Sequence, residues 1–326
     1  METGRSSNPV VEPSGVPVEY RILGPLEVVR DGHPVALGSG KQRTLLAVLL
    51  LHAGEIVPTD RLIDLVWGED PPRTAAHSVQ IYVSELRRAL GSAGRSAAIE
   101  TRPPGYLLHA EAEALDARRF ERLVTEARER AERGDNDGAV RTLQEALELW
   151  RGSPLADFTY DEFAQSEILQ LTALHLDALE LLAGAELELG RAQEALAHLR
   201  TGIARDPLRE RFRELEMLCL YRLGRHAEAL RTFQTFQATL AEELGLDPSP
   251  SLRHVQERIL LHDATLTRLW GYDGAVAELT ADEVRAACRD DRYEIPAFDR
   301  VMAVSSATGR GLMVDLTVSR VAHRAG

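Results

Sequence analysis

The sequence predicts a mainly α-helical chain whose helical body carries a small β-containing module before it and another after it. Three observations carry this prediction. Residues 115–262 are dominated by Ala, Leu, Glu and Arg at helical spacing. Within that stretch Leu189-Gly-Arg-Ala-Gln-Glu-Ala-Leu196 recurs as Leu223-Gly-Arg-His-Ala-Glu-Ala-Leu230, a displacement of 34 residues that matches the tetratricopeptide period. Ahead of it, residues 18–110 mix short β-favouring runs, helical periodicity and strong turn signals.

The elements follow in order. Residues 1–17 are rich in Ser, Pro and Val without periodicity and read as a disordered leader. From Tyr20 to Leu37 the runs Tyr-Arg-Ile-Leu, Leu-Glu-Val-Val and Pro-Val-Ala-Leu are broken by Gly24-Pro25 and Asp31-Gly32, and the Asp-Gly pair signals a hairpin. Gly40 to His52 reads as a helix with Leu45, Leu46, Val48, Leu49 and Leu50 inward, stopped by Gly54. Thr59 is placed to cap a second helix, Asp60 to Trp67, with Leu62, Ile63, Leu65 and Val66 inward. Gly68-Glu-Asp-Pro-Pro72 breaks the chain before a third helix over 73–91. Ile99 to Leu108 then reads as two short strands around a Pro-Pro-Gly bend. A sheet, three helices and a closing hairpin make a winged helix-turn-helix over residues 18–110, with the third helix as reader and the hairpin as wing.

The third helix carries the most informative chemistry. Val79, Val83, Leu86 and Leu90 fall on one face. The opposite side presents Arg73, Thr74, His77, Gln80, Ile81, Ser84, Arg87 and Arg88. Arg and Gln can hydrogen-bond purine edges, and an outward Ile can touch a thymine methyl. An amphipathic surface helix that merely covers a core is the alternative for this stretch taken alone.

A net charge of −13 at first argues against a nucleic-acid partner. Its distribution weakens that objection. Residues 18–110 carry 10 basic and 10 acidic side chains, whereas residues 111–326 carry 27 basic and 39 acidic ones. A neutral module can still bind DNA with its arginines gathered on one face, and single copies should bind weakly. The two cysteines, Cys219 and Cys288, fit no metal-ligand spacing and predict buried thiols in a reduced, cytoplasmic protein. No run of 18 apolar residues and no secretory signal is present, so no membrane span is expected.

Catalytic motifs are not found. The histidines lack His-x-x-Glu-His spacing, and neither Gly-x-Ser-x-Gly nor Gly-x-Gly-x-x-Gly occurs. Gly38-Ser-Gly-Lys41 imitates the end of a phosphate-binding loop, but Val35 and Gln42 stand where that loop requires Gly and Ser or Thr. No enzyme activity, cofactor or metal is expected.

Four blocks in fixed order make a specific resemblance: Gly40-Lys-Gln-Arg-Thr-Leu-Leu-Ala-Val-Leu-Leu50, Arg61-Leu-Ile-Asp-Leu-Val-Trp-Gly68, Val83-Ser-Glu-Leu-Arg-Arg-Ala-Leu-Gly91 and Arg102-Pro-Pro-Gly-Tyr106. Residues 18–110 resemble the OmpR-type winged helix, more closely the version in Streptomyces antibiotic regulatory proteins. The resemblance implies that Lys41 and Arg43 lie near the DNA backbone. It adds Tyr106 to the DNA-contacting set, and Arg102, beside the bend, would reach an adjacent minor groove or phosphate. It also implies that the loop carrying Glu69 and Asp70 is where the promoter-recognising subunit of RNA polymerase docks. Two adjacent carboxylates would repel phosphate and suit a basic protein surface better. Seventeen residues are too few for a phosphoacceptor domain ahead of the winged helix, so phosphorelay control of that kind is not expected.

Residues 111–262 resemble the bacterial transcriptional activation domain through Phe120-Glu-Arg-Leu123, Ala146-Leu-Glu-Leu-Trp-Arg-Gly-Ser-Pro-Leu-Ala-Asp-Phe158 and Leu240-Ala-Glu-Glu-Leu-Gly-Leu-Asp-Pro-Ser249. Gly190 and Gly224 mark turns between paired helices, Ala195 and Ala229 allow close approach, and Arg133 to Val140 is a looser turn of that kind. The resemblance implies a tetratricopeptide-like all-α domain that packs on the winged helix and supports homodimer formation. It further implies contact with RNA polymerase, including the C-terminal domain of the alpha subunit, from a head-to-tail pair on direct repeats at the −35 region. Residues 263–326 read as a small α+β appendage without an assigned role: a helix opened by Thr280-Ala-Asp-Glu283, then strands at Val301–Val304 and Leu312–Val318. The implied function is activation of secondary-metabolite genes. A helical-repeat scaffold with a winged helix that binds no DNA, or a repressor built from these domains, are the alternatives.

Overall fold

Helix α1 (Gly40–Leu51) is the element around which the N-terminal module assembles. Leu45 to Leu50 are all buried, as an uninterrupted apolar run demands of a helix covered on every side. A computed structural model describes residues 18–91, 98–266, 300–304 and 311–315, with side chains described up to Leu266 apart from Ala264. Before α1, strands β1 (Val18–Arg21), β2 (Glu27–Arg30) and β3 (His33–Pro34) form an antiparallel sheet in that order. Asp31-Gly32 makes the β2–β3 turn as predicted, though the third strand, only two residues long, keeps just Pro34 of the β-favouring run Pro34 to Leu37.

After α1 come β4 (Ile56–Pro58), α2 (Thr59–Trp67) and α3 (Ala75–Leu90). The wing strands are β5 (Ile99–Arg102) and β6 (Gly105–Leu108). The expected two-stranded hairpin is a three-stranded sheet, because β4 pairs with β6 in the order β4-β6-β5. Three residues ending in Pro are too few to show alternation, so β4 was missed. Gly105 is required there: a Cβ would stand 1.8 Å from the Val57 carbonyl oxygen. Thr59 does not cap α2 through its side chain; its hydroxyl donates to the Pro104 carbonyl at 3.1 Å, tying α2 to the wing turn.

Helices α4 (Asp116–Glu132), α5 (Asn136–Glu148), α6 (Glu162–Glu188), α7 (Ala192–Arg205), α8 (Glu210–Arg222), α9 (His226–Leu244) and α10 (Pro250–Leu260) form the helical domain. Successive pairs α4/α5, α6/α7 and α8/α9 pack as antiparallel hairpins. Gly190 and Gly224 follow α6 and α8 with φ of 75° and 74°, and Ala195 and Ala229 are fully buried between paired helices. The 34-residue echo therefore marks equivalent turns of a tetratricopeptide-like stack. By length and composition α6 could cross a membrane, but here it is a core helix that touches α1, α4, α5, α7 and α8. Its charged residues interrupt the apolar run, which is why the sequence shows no 18-residue stretch.

One hydrophobic cluster joins both parts of this unit. Leu23, Leu26, Leu46 and Leu50 of the N-terminal module share it with Phe120, Leu143, Leu155, Phe158 and Leu171 of the helical domain. A second cluster, with Phe212, Phe233 and Phe236, serves α6 to α10. Cys219 lies buried there, its thiol pushed up to about 12 by burial; Cys288 and the helix expected from Thr280 lie outside the described residues. Residues 272–326 form a separate unit in which β7 (Arg300–Val304) and β8 (Gly311–Asp315) pair antiparallel, near the two strands expected.

Candidate nucleic-acid interface

Helix α3 rests on the core through Val79, Val83, Leu86 and Leu90, each at most 1% exposed, and touches α1 and α2. That anchorage turns the other face to solvent. Arg73, Thr74, His77, Gln80, Ile81, Ser84 and Arg88 are all exposed. Ile81 is 42% exposed, an apolar group outward on an otherwise polar face. Arg88 has no ion pair with Glu85 or any other carboxylate among the described residues. The face therefore offers two guanidinium groups, an amide, an imidazole, two hydroxyls and one apolar contact to whatever approaches.

Arg87 behaves differently from its neighbour. It is half-buried, with Nε donating to the Ile99 carbonyl at 2.8 Å and Nη2 to the Thr101 hydroxyl at 2.7 Å. It fastens α3 to β5 and so sets the angle between reader and wing. Arg102, at the wing tip, is 53% exposed, and its Nε donates to Glu100 Oε1 at 2.9 Å. His109 meets the other Glu100 oxygen at 2.8 Å. Hydrogen bonds from Arg102, then from His109, hold the Glu100 carboxyl below its ordinary value.

Three of the expected contacts have partners or packing within the protein. Tyr106 is only 7% exposed, because β6 is the central strand of its sheet and all four of its residues are buried; its ring belongs to the core. Lys41 Nζ donates to the Val66 carbonyl at 2.5 Å, in the last turn of α2, where a cation also answers the negative end of the helix dipole. Arg43 donates from Nη2 to the Leu26 carbonyl at 2.9 Å and to Asp157 Oδ2 at 2.5 Å. Glu69 and Asp70 are exposed in the loop between α2 and α3, with no ion pair among the described residues. Behind that loop Trp67 and Tyr82 stack, their ring centroids 6.2 Å apart and 13° from parallel.

Sequence reasoning missed the residues that fix the reader to the helical domain. Asp116 is buried and accepts the Ile22 and Leu23 amides at 2.8 and 3.0 Å; burial raises its pKa against the lowering effect of those bonds. Asp157 accepts the Leu26 amide at 2.8 Å. Arg151 donates its backbone amide to the Leu23 carbonyl at 2.8 Å and pairs with Glu27 at 2.9 Å. Leu155 and Ala156 donate to the Ile22 and Gly24 carbonyls. Trp150 to Phe158, the later part of the Ala146–Phe158 block, thus docks on the connection between β1 and β2.

Comparison with known proteins agrees with this architecture. The family model of the bacterial transcriptional activator domain matches residues 115–260, and that of the C-terminal domain of transcriptional regulatory proteins matches residues 32–108. Regulatory protein DnrI of Streptomyces peucetius is 35% identical over 77% of this chain and 95% of its own length. Regulatory protein AfsR of Streptomyces coelicolor is 36% identical over 99% of this chain, which spans only 34% of AfsR. The structure of Mycobacterium tuberculosis EmbR in complex with a low-affinity phosphopeptide superposes with a TM-score of 0.74 at 30% identity, covering 92% of this chain and 78% of EmbR.

Proposed function

The chain belongs to the Streptomyces antibiotic regulatory protein family of transcription regulators, and from that premise we propose that it is a sequence-specific DNA-binding activator of secondary-metabolite genes. Helix α3 enters the major groove, with Arg88 and Gln80 on base edges and Ile81 toward a thymine methyl. Arg102 exchanges Glu100 for a phosphate or the adjacent minor groove. One observation supports this reading most: His77, Gln80, Ile81, Ser84 and Arg88 share the solvent face of α3, with Arg73 and Thr74 just before its first turn, while the other face is wholly committed to the core.

Because the N-terminal module is neutral and buries limited surface, two protomers on direct repeats are needed for tight binding. The two carboxylates of the α2–α3 loop face RNA polymerase's promoter-recognising subunit, and the helical domain supports the homodimer and meets the alpha subunit's C-terminal domain. The protein works in the cytoplasm, on the nucleoid. A footprint and a salt-dependent gel shift on promoters of the neighbouring gene cluster test the proposal. Protected direct repeats are expected; binding without sequence selectivity would favour a protein-interaction scaffold.

A further inference from the structure

The helical domain is acidic as a whole, yet between α7, α8 and α9 it forms a groove of about 390 Å³ ringed by guanidinium groups. Arg200 comes from α7, Arg213 from α8, Arg225 from the turn before α9 and Arg231 from α9 itself. Only two carboxylates line the groove, and both are engaged. Glu216 accepts from Arg213 at 3.0 Å, while Glu228 holds Arg225 through bonds of 2.7 and 2.6 Å. The hydrogen bonds from Arg225, followed by its charge and those of Arg231 and Arg200, hold the Glu228 carboxyl below its ordinary value, so both remaining arginines lie within electrostatic reach of it. Neither Arg200 nor Arg231 pairs with a carboxylate among the described residues. Arg213 also keeps a buried Nε without a hydrogen-bond partner there. Thr232 and Thr235 add hydroxyls from α9, Thr239 donates its own to the Thr235 carbonyl at 3.1 Å, and Leu196 and Leu220 supply an apolar floor.

We propose that this groove binds a small phosphate monoester, gripped by Arg200 and Arg231 and hydrogen-bonded by Thr232 and Thr235 of α9. A phosphate dianion presents several acceptor oxygens to planar guanidinium forks, which hold it with charge-assisted bonds. The Arg213–Glu216 and Arg225–Glu228 pairs fix the groove's walls and leave an excess of two positive charges facing the ligand. The volume lies within the range of small-molecule sites, about 300–1,000 Å³. A nucleic-acid backbone carries the same phosphate chemistry. Such a long polyanion, however, must approach the net negative field of residues 111–326, whereas a small anion in the groove feels mainly charges within a Debye length of about 8–10 Å.

Isothermal titration of the full chain with inorganic phosphate, adenosine monophosphate and adenosine tests the site. The expected result is saturable binding of the monophosphate, none of adenosine, and weakening by about tenfold or more in Arg200→Ala and in Arg231→Ala. Both residues are exposed, so the variants should keep the wild-type urea midpoint. Two results would overturn the proposal: no saturable binding of phosphate or the monophosphate up to about 10 mM, or unchanged binding in the double variant. If the double variant instead loses affinity for non-operator duplex while the monophosphate never binds, the groove is a DNA contact and the proposal fails.

Discussion

Asp157 and Arg43, 114 residues apart, meet at 2.5 Å across the seam between the helical domain and α1. The same carboxylate oxygen accepts the Leu26 amide at 2.8 Å. A side chain of the helical domain thereby completes the hydrogen bonding of the N-terminal module, whose α1 in turn supports α3. Both partners are about a third exposed, so the ion pair alone contributes little. The greater part is the Leu26 amide, which loses its acceptor in Asp157→Ala. A destabilisation of about 1–3 kcal/mol is expected in urea unfolding. Asp157→Asn should recover part of it, since its amide oxygen still accepts from Leu26. An unchanged midpoint in Asp157→Ala would show that this amide does not depend on the carboxylate.

A second prediction concerns pH. His175 is 5% exposed and lies between Phe120 and Trp150, its ring centroid 4.1 Å from that of Trp150, with Nδ1 lacking a partner among the described residues. Burial, reinforced by the charge of Arg205, brings its pKa down to about 4. The folded protein therefore holds His175 neutral where the unfolded chain protonates it. Its contribution to stability is complete above about 6.5 and is lost as pH falls from there to about 4, by roughly 3 kcal/mol. His175→Phe should lack this component. Equal pH slopes for the two proteins between 7 and 4 would contradict the assignment.

Adjacent arginines on α3 should fail in different ways. Arg87→Ala removes the tether to Ile99 and Thr101, so β5 amides should exchange faster and binding should weaken alike on every duplex. Each lost bond is worth about 1 kcal/mol. Arg102→Ala should reduce the salt slope by about one unit if Arg102 meets phosphate. Hydrogen exchange and salt titrations separate the two; a base-selective loss in Arg87→Ala would place it on the reading face instead.

Much of this architecture is written in local pattern. The α3 stripe, the Asp31-Gly32 turn and the Gly190/Gly224 echo each lie within a few residues of the feature they specify. What escaped reading depends on partners distant in sequence. Tyr106 looks like an exposed wing residue until β4 pairs beside it and makes β6 central. Arg43 looks free until Asp157 arrives from the helical domain. Asp116 reads as one more acid on a helix, yet burial and two amides from β1's end claim it. Lone charges carry no sign of which partner the fold will bring.

On the proposed function, the α2–α3 loop should separate binding from activation. Glu69→Ala/Asp70→Ala should leave operator affinity within about twofold, near 0.4 kcal/mol, because both side chains lie outside α3. Transcription in a purified polymerase assay should nevertheless fall. Normal activation at saturating protein would make the loop a connector and leave polymerase contact to the helical domain alone.

The most direct test of DNA reading by α3 is fluorescence anisotropy of wild type and Arg88→Ala on the footprinted operator and on a scrambled duplex at fixed salt. Arg88 is exposed and makes no ion pair among the described residues, so its removal should leave the fold intact. Operator affinity should drop by about 1–3 kcal/mol, roughly 5- to 150-fold, while affinity for the scrambled duplex should change far less. Equal operator binding by wild type and a folded Arg88→Ala protein would contradict base reading by Arg88.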